Sequence, residues 1–192
     1  MKKVLFKRAA LSFMACAALV FASCSEIAEN EYELPVVNGS EAATAERAAI
    51  SGISSFYADN LSHGTFTSNV TSGNYTVYAT SSKTVSTPYS SASLQDKTFK
   101  QALALGGAGV AGSYRCVSFE TAGSATVTVF ATGASGRYLA LVDSKGDVVS
   151  KKETSSSIAA YTYSAPSAGT YYLESLGSGI SIYYIKTDAS GS

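Results

Sequence analysis

From Gly64 onward, apolar and polar positions alternate in short runs separated by Gly, Ser, Asn and Asp. The runs cover residues 64–69, 75–79, 83–87, 98–105, 114–121, 125–131, 137–142, 148–152, 157–164, 170–174 and 180–186. A period of two buries one face of a strand and leaves the other in water. Turn residues fall between the runs, in Ser72-Gly73-Asn74, Asp143-Ser144-Lys145-Gly146, Ser167-Ala168-Gly169 and Gly177-Ser178-Gly179. No long helical period follows residue 60. Strands this short, with turns at regular intervals, predict an all-β fold: an antiparallel β-sandwich, jelly-roll-like. Upstream, SEAATAERAAI (residues 40–50) fits a short N-terminal helix. Ser40 can cap it, Glu41 suits its first turn, and Gly52 would end it.

The first residues carry a different pattern. Lys2, Lys3, Lys7 and Arg8 form a basic start, and residues 11–20 are almost continuously apolar. Phe21-Ala22-Ser23-Cys24 follows. A short apolar stretch before small residues marks a secretory signal rather than a membrane span. A Cys straight after Ala-Ser resembles a bacterial lipobox, which implies lipidation of Cys24 and attachment to a membrane. Phe21 stands where Leu is usual. Ordinary signal cleavage is the alternative, and Cys16 has too short an apolar run before it to serve. Acidic residues dominate next, with Glu26, Glu29, Glu31, Glu33, Glu41 and Glu46. That stretch reads as a solvated tether. Its acids also resemble surface-export signals of outer-membrane lipoproteins, with a plain polar spacer as the alternative. The predicted organisation is a signal over 1–23, an acidic tether with the short helix over 24–55, a β-sandwich over 56–188 and a tail over 189–192. The protein is expected to be exported and anchored, at the outer membrane or cell surface.

Charge and cysteine content narrow the function. Formal net charge is zero and the pI is about 6.6, so nothing points to nucleic acid. With Cys16 in the signal and Cys24 lipidated, Cys116 is alone and no intrachain disulfide can form. Cys116 sits in the apolar run Cys116-Val117-Ser118-Phe119, as a small strand residue would.

Residues Gly107-Ala108-Gly109-Val110-Ala111-Gly112 fit G-x-G-x-x-G, the pattern of a dinucleotide-binding turn. That turn must feed a helix whose N-terminus meets the pyrophosphate. Here Tyr114-Arg115-Cys116-Val117-Ser118-Phe119 follows, which reads as a strand, and no Lys-Ser/Thr completes a P-loop. The segment is therefore read as a flexible link between strands, and no cofactor is expected. Paired carboxylates would suit a polysaccharide-cleaving enzyme. Asp96, Glu120, Asp143, Asp147, Glu153, Glu174 and Asp188 show no spacing that singles out a pair. His63 is the lone histidine, placed before the first predicted strand. Asp143-Ser144-Lys145-Gly146-Asp147 is read as a hairpin turn, since calcium needs six to eight oxygens. No catalytic or metal-binding residue is assigned.

What remains is a scaffold with many tyrosines and a mildly basic β-domain. Thirteen tyrosines are spread along the chain, each with an apolar ring and a polar tip suited to sugars. Most are expected to be structural. From Gly64 on, nine bases face seven acids, a balance that favours an acidic glycan. Five motifs occur in order: DNLSHGTFTSNVTSGNYTVYATSSK, FKQALALGG, YRCVSF, RYLALVDSKG and AGTYYLESLGSGISIYYIK. Over roughly residues 56–186 they resemble the β-sandwich carbohydrate-binding modules appended to bacterial pectate lyases and pectinesterases, and more loosely the pectin-binding modules.

The resemblance implies non-catalytic binding of plant polysaccharide, with galacturonate held by Lys and Arg. It carries over to Arg115, to Arg137 before Leu139 and Leu141, and to Lys83. The family's Leu-Lys-Leu-Gly-Gly reads Leu103-Ala104-Leu105-Gly106-Gly107 here, so a base is missing at Ala104. Lys100, four positions earlier, lies on the same face of a continuous strand and is a substitute. Phe56 stands where the family has Trp. Regular alternation would also put Arg115 on one face with Val117 and Phe119. A guanidinium there needs either the mouth of a site or an acidic partner. The expected ligand-binding residues are thus Arg115, Lys100, Lys83 and Arg137. The expected partner is an extracellular polysaccharide, first of all pectin or polygalacturonate, with a separate degrading enzyme acting beside it. The alternative is a structural or adhesive surface sandwich without a sugar site.

Overall fold

Alternating Val, Tyr, Phe and Leu positions give many of the strands a core-facing side, so two sheets close over a shared core. The computed structural model describes residues 47–190. One sheet has the order β12–β11–β14–β9–β4–β3, formed by Val148–Glu153, Tyr138–Asp143, Gly169–Ser175, Cys116–Thr121, Tyr75–Tyr78 and Val70–Ser72. The other runs β13–β10–β15–β8–β5–β2, formed by Ala159–Ala165, Ala125–Thr132, Ser181–Ala189, Leu103–Ala104, Val85–Thr87 and Gly64–Phe66. Strand β1 (Ile53–Tyr57) adds to β15. These are called sheets A and B. A two-stranded hairpin, β6 (Tyr89–Leu94) with β7 (Lys97–Gln101), packs outside sheet B. The fold is an all-β antiparallel sandwich, as the alternation predicts, with a single 3₁₀ turn among the described residues, at Ala58–Asn60.

Several expectations are corrected. The predicted helix lies mostly outside the described residues. Within them, residues 47–49 carry no helix and Ile50 instead bridges to Thr121. The folded sandwich begins before Phe56, because β1 starts at Ile53 and Ile50 bonds to Glu120. The run 98–105 is not one strand, since β7 lies in the hairpin and β8 in sheet B. Strand β6, rich in serine, escaped the hydrophobic pattern. Cys24, the signal and the tether up to residue 46 lie outside the described residues.

The core between the sheets holds Phe56, Tyr75, Val77, Val117, Phe119, Val127, Val129, Leu139, Leu141, Tyr163, Leu173 and Ile185. Two tyrosine hydroxyls tie the sheets together across it. Tyr75 of β4 donates to the Ser54 carbonyl (3.1 Å), and its hydroxyl pairs with that of Thr187 (3.0 Å). Tyr163 of β13 donates to the Leu139 carbonyl at 2.9 Å.

A second apolar cluster lies outside sheet B, where Phe99 and Ala102 meet Phe130, Tyr183 and Tyr184. A bulge makes it. Phe130 pairs with Tyr184 and Ala131 with Ile182, leaving Tyr183 as the extra residue. Two successive tyrosines therefore reach the same outer face while Ile182 and Ile185 both stay in the core.

Candidate functional site

The outer face of sheet B is built from aligned rows. The register across β13, β10, β15 and β1 gives Ala160–Phe130–Tyr184–Tyr57, then Thr162–Thr128–Lys186–Ser55, then Ser164–Thr126–Asp188–Ile53. Apolar rings thus give way, one row on, to hydroxyls and an ammonium. The β6–β7 hairpin leans over the first row. Its two-residue turn, Gln95–Asp96, opens with Gln95 at φ 56°, a left-handed conformation that glycine favours. The turn delivers Lys97 at the start of β7.

Between hairpin and sheet lies a cleft of about 510 Å³, lined by Gln95, Asp96, Lys97, Thr128, Phe130, Ala160, Thr162, Tyr184 and Lys186. The Lys97 ammonium sits 5.2 Å from the Tyr184 ring centre and 5.9 Å from that of Tyr57. The two rings are 4.7 Å apart and tilted by 53°. Tyr57 beside it, with Asp96 adding to the effect, holds Lys97 above its ordinary pKa. Lys97 lies 3.9 Å from Asp96, and Lys186 lies 3.4 Å from Asp188. The Tyr184 hydroxyl pairs with Ser55 at 3.0 Å. Tyr184 and Phe130 are buried and floor the cleft, so this arrangement offers a sugar the half-buried Tyr57 ring, the Thr128 and Thr162 hydroxyls and two ammonium groups, each beside a carboxylate of its own. Asp96 is the single carboxylate among the lining residues.

The four residues expected to bind ligand lie elsewhere. Arg115, Arg137 and Lys83 gather at the end of the sandwich where the 79–84, 105–115, 133–137 and 176–180 loops meet. Arg115 Nε donates to the Thr84 carbonyl at 3.3 Å. Its guanidinium lies against Gly107, where a Cβ would approach Nη1 to 2.5 Å. Arg137 Nη1 donates to the Gly179 carbonyl at 2.5 Å. Both arginines therefore hold loop backbone. Lys83 is exposed, with its ammonium 5.7 Å from the Tyr114 ring centre. Lys100 is exposed on the hairpin, apart from the other three, and its backbone N–H meets the Asp59 carboxylate at 3.1 Å.

Two alternation arguments fail here for local reasons. Arg115 precedes β9 with φ 52°, so it does not share a face with Val117 and Phe119. It meets a backbone carbonyl instead of the expected mouth or acid. Lys100 and Ala104 belong to different sheets, so Lys100 does not stand in for the missing base.

The glycine loop is no loose link, because it lies flat on the outer face of sheet A. Gly109 N–H donates to the Ser175 carbonyl at 2.9 Å, and the Cys116 thiol faces the Val110 carbonyl at 3.4 Å. A Cβ on Gly109 would come within 2.5 Å of the Arg115 carbonyl oxygen and 2.8 Å of Glu174 Cβ. Under the loop, burial pushes the Cys116 thiol up to about 12. Burial also raises Glu174, against a lowering bond from the Ala111 N–H. Glu174 Oε2 is sealed from solvent without a partner among the described residues. A cleft of about 280 Å³ between this loop and the turn at residues 144–146 touches Glu174.

Of the cleft residues, Lys97 and Lys186 were visible only as bases and Tyr57 and Tyr184 only as tyrosines. The short Leu94-Gln95-Asp96-Lys97 turn was the available signal for the hairpin. Nothing in a period of two foretells the bulge at Tyr183.

No family model matches the chain, and no curated protein does. Similar solved structures include a protein described in work on glycan recognition by the Ruminococcus flavefaciens cellulosome (16% identity, TM-score 0.48, 76% of this chain and 100% of that one). Another is the C-terminal CBM6 of LamC, a marine laminarinase from Zobellia galactanivorans (9%, TM-score 0.33, 71% and 98%). A third is a carbohydrate-binding module of Cellvibrio mixtus lichenase 5A in complex with cellotriose (14%, TM-score 0.33, 72% and 98%).

Proposed function

We propose that this domain binds an extracellular polysaccharide without cutting it, through the cleft between the β6–β7 hairpin and the outer face of sheet B. The observation that carries this reading is the convergence of Lys97 with Tyr57 and Tyr184 beside the Thr162–Thr128–Lys186 row. A lone carboxylate among the cleft residues suits binding, since glycoside hydrolysis works with two. Lys97 and Lys186 would take a polymer's carboxylates in exchange for the weakly held Asp96 and Asp188, and pectin is the first candidate. Lipid on Cys24 would hold the domain at the cell surface, where it would retain polymer for a separate degrading enzyme.

The competing reading is a structural or adhesive sandwich without a sugar site. Ala104 and the backbone-bound Arg115 and Arg137 favour it. Affinity electrophoresis on polygalacturonate separates the two. Binding retards the wild type, and added salt relieves the retardation. Lys97→Ala weakens binding about 10- to 100-fold, as expected for losing one charge-assisted bond, while Lys83→Ala leaves it unchanged. Equal mobility with and without polymer ends the pectin reading, and a panel of neutral glucans and mannans in the same gels then decides between another glycan and none.

A further inference from the structure

Tyr89 is the most exposed large hydrophobic side chain among the described residues, at 75%. It is also held in place. The His63 ring stacks on it with centres 3.9 Å apart and planes 11° from parallel. The backbone beneath is pinned on three sides. Gly64 N–H donates to the Thr87 hydroxyl at 3.0 Å, Ala102 N–H to the Pro88 carbonyl at 3.3 Å, and the Ser90 and Tyr183 hydroxyls pair at 2.9 Å. Exposing a ring to water is unfavourable, and fixing it on an anchored backbone removes the freedom that would offset exposure. A fixed, flat, wet aromatic surface is instead preorganised for a partner with an apolar face and a polar rim. A pyranose ring is such a partner.

We propose that the His63–Tyr89 stack is a second glycan contact, a platform for the C–H face of a sugar ring, with Tyr89 on the same hairpin whose tip lines the cleft and His63 just before β2. This rests on the reading of the cleft as a polysaccharide site. Tyr89 begins β6, and Gln95–Asp96 closes the hairpin at the cleft. At strand rise the two are about 20 Å apart. Lys100 and Thr98 stand exposed on β7 between them. Two contacts at that spacing act together on a long chain, whereas a short oligosaccharide reaches one. A polymer therefore gains avidity that an oligosaccharide lacks.

The test compares polygalacturonate with trigalacturonate on the full chain, by affinity electrophoresis and titration calorimetry. Tyr89→Ala weakens polymer binding at least about tenfold and leaves trigalacturonate affinity unchanged. His63→Ala shifts polymer binding in the same direction, and Tyr89→Phe retains it because the ring remains. Unaltered melting temperatures confirm that the exposed position does not carry the fold. If the wild type is retained and Tyr89→Ala matches it on polymer, the platform is overturned and the cleft stands. If Tyr89→Ala weakens both ligands equally, the stack is no separate contact and the proposal fails. If the wild type binds neither ligand, the pectin reading falls and the platform with it.

Discussion

Glu174 shows what a single residue costs when packing outranks solvation. Its backbone belongs to β14, and alternation with Leu173 puts its side chain outside the core. The glycine loop then covers it, leaving it 8% exposed. In the unfolded chain the carboxyl ionises near its ordinary value of 4.5, and in the folded chain only at higher pH. As pH rises past 4.5 the unfolded state releases its proton first, so folding stability falls and stays low above the folded-state value. Glu174→Gln removes that charge at nearly constant shape. The variant is expected to melt higher than wild type at about pH 7, with the two curves converging below pH 4.5. Calorimetry across that range checks it. An unchanged gap at all pH values would mean the carboxyl titrates alike in the folded and unfolded chain. Cys116, directly opposite Glu174 on the adjacent strand β9 and under the same loop, follows the same logic: its thiol is up at about 12 because it is covered, which makes it a packing residue.

At the scale of elements, the glycine loop and the hairpin decide most. The loop's sequence suggested a nucleotide turn and its surroundings excluded one, yet only packing gives the reason for its glycines. Gly109 lets the backbone touch sheet A, and Gly107 leaves room for the Arg115 guanidinium. Gly109→Ala is therefore expected to destabilise the fold by about 1–3 kcal/mol, the usual range for overpacking. Chemical denaturation measures it, and a loss below half a kcal/mol would show that the loop lifts off without penalty. The hairpin shows the opposite failure. Strand β6 reads Tyr89-Ser90-Ser91-Ala92-Ser93-Leu94. Only one of its faces meets apolar groups, through Ala92 and Leu94. Such a strand looks like a loop until its partner β7 and the tyrosines beneath it are in place.

Across the described domain, the sheets are joined by apolar packing and by the Tyr75 and Tyr163 hydroxyls. Tyr75 links β4 of sheet A to β1 and β15 of sheet B. Tyr75→Phe leaves the fully buried Thr187 hydroxyl short of its partner. A loss of about 1–2 kcal/mol is expected, as for other buried hydrogen bonds. Denaturant midpoints for Tyr75→Phe against Tyr78→Phe, a half-buried tyrosine outside that core, check the effect. Equal midpoints would show that the sheets are held by packing alone.

The sequence by itself determined that the chain makes an antiparallel sandwich, because alternation is local and each strand carries its own record of which face is buried. Val117 and Phe119, Val127 and Val129, and Leu139 and Leu141 all face the core as their spacing requires. Which bases come together was not recorded locally. Arg115, Arg137 and Lys83 reach one end of the sandwich, and Lys100 sits on a hairpin. The Lys97–Tyr57–Tyr184 cluster draws on three elements far apart in the chain. Its geometry depends on a bulge that turns two adjacent tyrosines to one face and on a turn that aims a lysine over them. Those are consequences of long-range pairing. Only the tertiary structure could decide them, because no period within a strand encodes what lies opposite it.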